Sequence, residues 1–184
     1  MMNKRMTLVF RRTGQRRYAV EAQRPGLPDL EMNPAPGYDP RMPHDMMHLV
    51  VEAQLGLTRA VFGQLAGGGT AGTFHLIVKS DESSREIGRA RNRVKARGKK
   101  LLKDGRDECL QSEWAAHICW SEWLARSSSG KPGTISETMT QLPTLNQRKL
   151  DEICQHLDEL SARWSSLKVG ESMAVGWPDL ALVK

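Results

Sequence analysis

The side chains best suited to binding a metal ion lie close together between residues 43 and 64. His44, His48 and Glu52 follow one another at intervals of four residues. An α-helix turns roughly 100° per residue, so residues four apart share a face. Two imidazoles one turn apart can bind one divalent ion, and a carboxylate is a common third ligand. The spacing therefore predicts a zinc-type site on this segment if it is helical.

Three further residues are candidates for the same site. Asp45 lies beside the first histidine, and Glu113 precedes His117 by one helical turn on a second predicted helix. If the two helices pack together, His117 would be a further metal ligand, as in helical carboxylate–histidine sites. Asp45 or Glu113 would then be the catalytic base that orients a metal-bound water.

An alternative interpretation of these residues needs no metal. His44 and Asp45 would begin the helix, where a carboxylate suits the positive end of the helix dipole. His48 and Glu52 would form an ordinary pair on a hydrated face. Glu113 and His117 would hydrogen-bond within the core. The sequence leaves both interpretations open.

The segment His44-Asp45-Met46-Met47-His48 resembles the His-Asp-x-x-His zinc motif of the ubiquinone-biosynthesis family of helical proteins. That family has a glutamate about eleven residues after the second histidine, and the corresponding position here is Ala60. Glu52 would have to take its place. The resemblance implies that this spacing can hold a metal ion, and it carries no quinone chemistry with it. Asp45 also occupies the position of the catalytic glutamate in the zincin pattern and is one methylene shorter, so metalloprotease chemistry is not indicated.

The chain as a whole resembles small uncharacterised bacterial proteins that open with a hairpin and end in a short strand carrying Trp-Pro, here Trp177-Pro178. This resemblance implies no activity.

A strongly basic segment covers residues 85–106. It carries ten basic and two acidic residues, a net charge of +8 against +6 for the whole chain, so the remainder carries −2. Its apolar seam is thin, which predicts an exposed helix. Such a helix could bind the phosphates of nucleic acid or an acidic protein partner, or it could be a solvated basic face. The candidate polyanion-binding residues are Arg89, Arg93, Lys95, Arg97 and Lys100.

Composition limits the class of protein. The 184 residues suffice for one domain, expected to cover residues 1–184. No apolar run approaches the roughly 18 residues of a membrane span, and the first residues lack a secretory apolar region. The three cysteines show no Cys-x-x-Cys spacing, which indicates reduced thiols. We therefore expect a cytoplasmic protein with no membrane partner.

The strands are predicted at the two ends of the chain. Residues 6–22 are predicted to form a hairpin around Thr13-Gly14-Gln15, because two short arms flank this turn and the second arm alternates apolar and polar residues. A last strand is expected at residues 172–177, returning to the hairpin. The hairpin residues expected to face the core are Leu8, Phe10, Tyr18 and Val20.

Three main helices are predicted between the strands. The first covers residues 43–64 and ends at a glycine cluster. The proline-rich loop before it is either a plain connector or a pocket wall over His44, with Tyr38 and Asp39 as polar contributors. The second covers residues 107–126, and a flexible linker at 127–143 leads to the third, which ends near residue 167. The second helix is expected to bury Leu110, Trp114, Trp120 and Leu124.

The predicted fold is therefore α+β, with a small antiparallel sheet packed against about three main helices. Two functional hypotheses remain open. One is a metal-binding, hydrolase-like enzyme, and the other is a non-enzymatic interaction protein that binds through its basic helix.

Overall fold

The computed structural model describes residues 5–78, 83–129 and 144–183. Within them, six strands form one antiparallel sheet in the order β4-β3-β2-β1-β5-β6. The strands are β1 (Met6–Gly14), β2 (Arg17–Gln23), β3 (Leu30–Ala35), β4 (His75–Leu76), β5 (Ser172–Trp177) and β6 (Leu182–Val183).

The sheet is built from both ends of the chain, as predicted. β1 lies between β2 and β5, with Phe10 opposite Val20 on one side and opposite Met173 on the other. The predicted inward residues Leu8, Phe10, Tyr18 and Val20 have no exposed surface. Period-two alternation places these side chains on one face, where the helices cover them.

Five helices lie in the described residues. They are α1 (His44–Leu55), α2 (Val61–Ala66), α3 (Ser84–Asp104), α4 (Arg106–Ser129) and α5 (Gln147–Ser166). α1 contacts both α4 and α5. α5 meets the sheet through an edge-to-face contact between Trp164 and Tyr18, at 6.0 Å between ring centroids. Together these elements confirm the α+β prediction.

The prediction of one continuous helix over residues 43–64 was wrong. Gly56, which directly follows Leu55, has φ +68°, and this left-handed conformation ends α1. The chain then turns, and α2 begins after Ala60. Phe62 and Leu65 are buried as expected, but from a second helix. The first backbone N–H groups of α2 consequently face α1.

The predicted buried face of α4 was wrong at Leu110 and Trp114, whereas Trp120 and Leu124 are partly buried against the core. Leu110 and Trp114 are 55% and 53% exposed. The face that meets the core carries mostly small residues: Ser112, Ala115, Ala116 and Cys119, followed by Trp123. Small side chains allow two helix axes to approach closely. The face that α4 turns toward the core is therefore the one that packs closely against α1.

The basic segment is a helix with an ordered start. Ser83 caps α3, accepting the backbone N–H of Glu86, whose side chain accepts the N–H of Ser83 in return. Val94 and Gly98 are its buried residues. Of the predicted linker, residues 127–129 complete α4, and residues 130–143 lie outside the described residues. In the described part of the chain, no helix is both long and apolar enough to cross a bilayer.

Candidate metal centre

The proline-rich loop folds back onto the first residue of α1. The backbone N–H of His44 donates to the carbonyl of Gly37 at 3.1 Å. Gly37 has φ +72°, and a Cβ built there would lie 2.7 Å from the Cβ of His44. Only glycine fits this turn without strain, because it tolerates a left-handed φ and leaves room for the histidine. The loop therefore fixes His44 at the entrance of α1.

Three side chains from two helices converge beside this turn. One ligand atom each from His44, His48 and Glu113 lies within 4.8 Å of the other two. The two imidazole rings meet edge to face at 4.5 Å between centroids. His48 Nε2 lies 3.7 Å from Glu113 Oε2. We call these three residues the His-His-Glu cluster.

His48 is the buried member of the cluster, at 6% exposure, whereas Glu113 is 64% exposed. Its Nδ1 lies 2.8 Å from the hydroxyl of Ser112. Its Nε2 is buried and has no hydrogen-bond partner among the described residues. Burial lowers the pKa of His48 to about 4, and the neighbouring His44 acts in the same direction. His48 is therefore a neutral imidazole at pH 7, the form that binds metal ions.

Glu52, predicted as a metal ligand, is not in this cluster. It is fully buried, accepts the backbone N–H groups of Val61 and Phe62 at 3.2 and 2.9 Å, and accepts the Ser112 hydroxyl at 2.9 Å. Burial raises the pKa of Glu52 to about 8, although these hydrogen bonds oppose the shift. The break at Gly56 explains this placement, because it turns the start of α2 toward the carboxylate. Glu52 is thus connected to His48 through Ser112.

Asp45, predicted as a catalytic base, faces the sheet. Its carboxyl group is hydrogen-bonded to the hydroxyl of Tyr18, which also contacts the carbonyl of Pro36. Burial raises the pKa of Asp45. Asp45 therefore ties the start of α1 to β2 and does not belong to the cluster.

A cavity of about 400 Å³ opens beside the His-His-Glu cluster. The predicted pocket-wall residues Tyr38 and Asp39 line it, and Tyr38 accepts a hydrogen bond of 2.7 Å from Arg12. His117, predicted as a ligand, also lines this cavity and lies outside the cluster. The apolar part of the lining comes from Met42, Met47, Ala116 and Trp120.

Ser112 is the functional candidate that the sequence did not indicate. A serine within a helix has no distinguishing local pattern, and its role depends on α4 facing α1 through small residues. The pairing of Glu113 with His48, 65 positions apart, likewise depends on this packing.

The five candidate polyanion-binding residues lie exposed along α3. Arg93 and Arg97 line a groove against the Gly67–Gly68 turn, and Arg97 Nε donates to the Gly67 carbonyl at 3.1 Å. Lys95 lines a second groove on the opposite edge of the helix, together with Arg91 and Lys99. Basic side chains therefore flank the buried seam of α3 on both sides.

Comparisons with protein-family models, with curated proteins and with solved structures find no match to this chain. The resemblance of residues 44–48 to a zinc motif therefore stays a prediction.

Proposed function

We propose that this protein binds one divalent transition-metal ion, of the zinc type, through His44, His48 and Glu113. The observation that carries the proposal is the buried, unpartnered Nε2 of His48, which faces a second imidazole and a carboxylate. Buried polar atoms in folded proteins are nearly always paired, so an unpaired one calls for an explanation. A bound cation would supply the missing partner.

The cluster can close around an ion by small side-chain movements. Nitrogen and oxygen ligands lie about 2.0–2.2 Å from zinc, so two ligand atoms of one ion are at most about 4.4 Å apart. The cluster atoms, within 4.8 Å of one another, need to move only slightly. His44 and Glu113 are exposed whereas His48 is fixed by its packing, so the adjustment falls to the two exposed side chains.

The arrangement supports hydrolysis. A zinc ion held by these three residues would have a coordination position left for water, and it would lower the pKa of that water to about 7. The open side of the cluster faces the 400 Å³ cavity, where a small substrate would bind. His117 and Asp39 line that cavity and are the candidates to accept a proton from the bound water. This assignment replaces Asp45 and Glu113 as candidate bases.

The metal content of protein purified without an affinity tag tests the binding proposal. We expect about one equivalent of a divalent transition metal per chain, as a single three-ligand site requires. His48→Ala should abolish binding, because the variant removes the ligand that packing holds in place. His75→Ala removes an exposed histidine on β4 and is the matched control, which should retain the metal. Wild-type protein that binds no added zinc would contradict the proposal.

Hydrolysis is tested with p-nitrophenyl esters and phosphates as probes. We expect a turnover that a chelator abolishes and added zinc restores. His117→Ala should lower kcat by about 10²–10⁴-fold, the contribution of a positioned general base, while leaving bound zinc unchanged. Chelator-resistant turnover would exclude the metal-bound water as the nucleophile.

A second candidate function rests on α3. We propose that its exposed basic side chains bind a polyanion, supported by their position along two grooves on either side of the helix. Affinity for a nucleic acid duplex should fall steeply as salt rises, since bound cations are released.

Replacing Arg93, Lys95 and Arg97 by glutamine tests this candidate. The slope of log affinity against log salt should become shallower by roughly one for each phosphate that the variant no longer neutralises. Glutamine at Arg11, Arg16 and Arg17 removes the same charge from the exposed hairpin and is the control. If both triple variants weakened polyanion binding equally, the net charge of the protein would explain the binding, and the position of the side chains on α3 would not.

A further inference from the structure

A chain of hydrogen bonds connects a buried carboxylate to the open nitrogen of the cluster. Glu52 is fully buried on α1, and its Oε1 lies 2.9 Å from the Ser112 hydroxyl on α4. The same hydroxyl lies 2.8 Å from His48 Nδ1. Ser112 is itself 1% exposed, so the hydrogen bonds are shielded from bulk solvent. The three side chains form one hydrogen-bonded chain, in which the proton position on one residue sets the proton positions on the others. We call it the Glu-Ser-His relay.

Two proton orders fit these distances. In the first, Glu52 is ionised, Ser112 donates to it, and His48 donates from Nδ1 to Ser112; Nε2 then carries a lone pair. In the second, Glu52 is protonated and donates to Ser112, which donates to Nδ1; Nε2 then carries the proton. Only the first order presents a metal ligand at Nε2.

We propose that Glu52, acting through Ser112, is the positioning residue that holds the proton of His48 on Nδ1 and so presents Nε2 to a cation. The backbone N–H groups of Val61 and Phe62 support this role, because both can only donate and both point at the carboxylate. Carboxylates that orient metal-binding histidines in this way tune metal affinity. The role in metal binding rests on the proposed function, whereas the tautomer of His48 does not.

Proton balance follows from the two orders. The second order carries one proton more than the first, and cation binding requires the first. Binding one ion to the second order therefore releases one proton to solvent. Burial favours the protonated Glu52 of the second order, whereas the two backbone N–H groups favour the ionised Glu52 of the first. The other titratable groups facing Glu52 are Glu108, which is paired with Arg59, and Cys109 on α4.

The tautomer is measured first, by ¹⁵N NMR of the histidine rings in metal-free protein at pH 9, with His48→Ala assigning the signals. Wild type should show His48 protonated on Nδ1. Glu52→Gln should shift the proton to Nε2. In the Oε2 position its amide NH₂ would face Phe62 N–H at 2.9 Å, and in the Oε1 position it would face Val61 N–H at the longer distance of 3.2 Å and donate to Ser112. The amide should therefore take the second orientation, which reverses the donor order between Glu52, Ser112 and His48. Glu108→Gln removes a nearby carboxylate that does not touch Ser112 and should keep the wild-type tautomer.

Zinc affinity is measured next on the same variants. Glu52→Gln should weaken binding by about 10–100-fold, the usual loss for such supporting residues, while Glu108→Gln stays near wild type. Ser112→Ala should weaken binding similarly and abolish any pH dependence of the tautomer. It serves as a second variant if Glu52→Gln does not fold.

The outcomes separate this inference from the proposed function. Zinc binding by wild type that neither variant weakens, with an unchanged His48 tautomer, would overturn the relay and leave the metal site standing. Wild type that binds no zinc would overturn the metal role of the relay together with the proposed function.

Discussion

His48 and Glu52 belong to one sequence pattern, a spacing of four residues, but they make different contacts in the structure. Both lie on one edge of α1, as the spacing of four residues predicted, and both are buried. His48 meets the exposed Glu113 and His44, whereas Glu52 meets the start of α2. The sequence could predict the two histidines because their spacing is local. It could not predict which acid completes the cluster, because that depends on contacts between helices.

The pH dependence of stability tests the burial of Glu52. Its pKa is about 8 when folded, above its ordinary 4.5, so the folded state binds more protons than the unfolded state between these values. The stabilisation is complete below about pH 4.5 and is lost as pH rises through 8. His48 has the opposite effect, but only between about pH 4 and 6.5. From pH 6.5 to 8 the free energy of unfolding of metal-free protein should therefore fall.

Urea denaturation across this range measures the effect. Glu52→Gln should flatten the slope between pH 6.5 and 8, whereas Glu108→Gln should keep it because Glu52 remains in place. A wild-type slope that Glu52→Gln leaves unchanged would show that Glu52 ionises normally in the folded protein.

Among the structural elements, the junction between the proline-rich loop and α1 positions His44 in the cluster. Of the two roles expected for the loop, a plain connector or a pocket wall, the position of Tyr38 and Asp39 beside the cavity agrees with the second. The left-handed Gly37 lets it pass close to His44. The two wrong helix predictions also concern how elements meet. A left-handed glycine ended α1 early, and α4 buries small residues such as Ser112 and Ala115 where Leu110 and Trp114 were expected.

Gly37→Ala tests this junction. The variant should cost roughly 1–3 kcal/mol for a strained backbone conformation. It should also displace His44 and weaken zinc binding. Gly26→Ala is a matched control, since Gly26 has φ +74° but no atom within 4 Å of the added Cβ. The two variants should share the backbone cost, and only Gly37→Ala should change metal affinity, measured by calorimetric titration. Equal zinc affinity for both would show that the loop does not position His44.

At the scale of the whole molecule, the sheet joins the two ends of the chain and the helices cover one of its faces. This architecture was predictable because strand alternation and the amphipathic pattern of α5 are strong local signals. The cluster adds a link between α1 and α4 to the hydrogen bonds that Ser112 makes with His48 and Glu52. A metal ion at that point would therefore bind only the folded chain.

Thermal unfolding tests this link. Zinc at 100 times its dissociation constant should add about 2.7 kcal/mol to the free energy of unfolding. For a domain of this size that corresponds to a Tm increase of roughly 5–10 °C, since about 1 kcal/mol shifts Tm by 2–4 °C. EDTA should reverse the increase, and His48→Ala should show none. A Tm unaffected by zinc or EDTA would indicate that no ion joins the two helices.

The most direct test of the metal site is zinc K-edge X-ray absorption of protein loaded with one equivalent of zinc. We predict two imidazole ligands and oxygen ligands at about 2.0–2.2 Å, with one imidazole fewer in His44→Ala. A spectrum without imidazole scattering, or one that His44→Ala and His48→Ala both leave unchanged, would contradict the site.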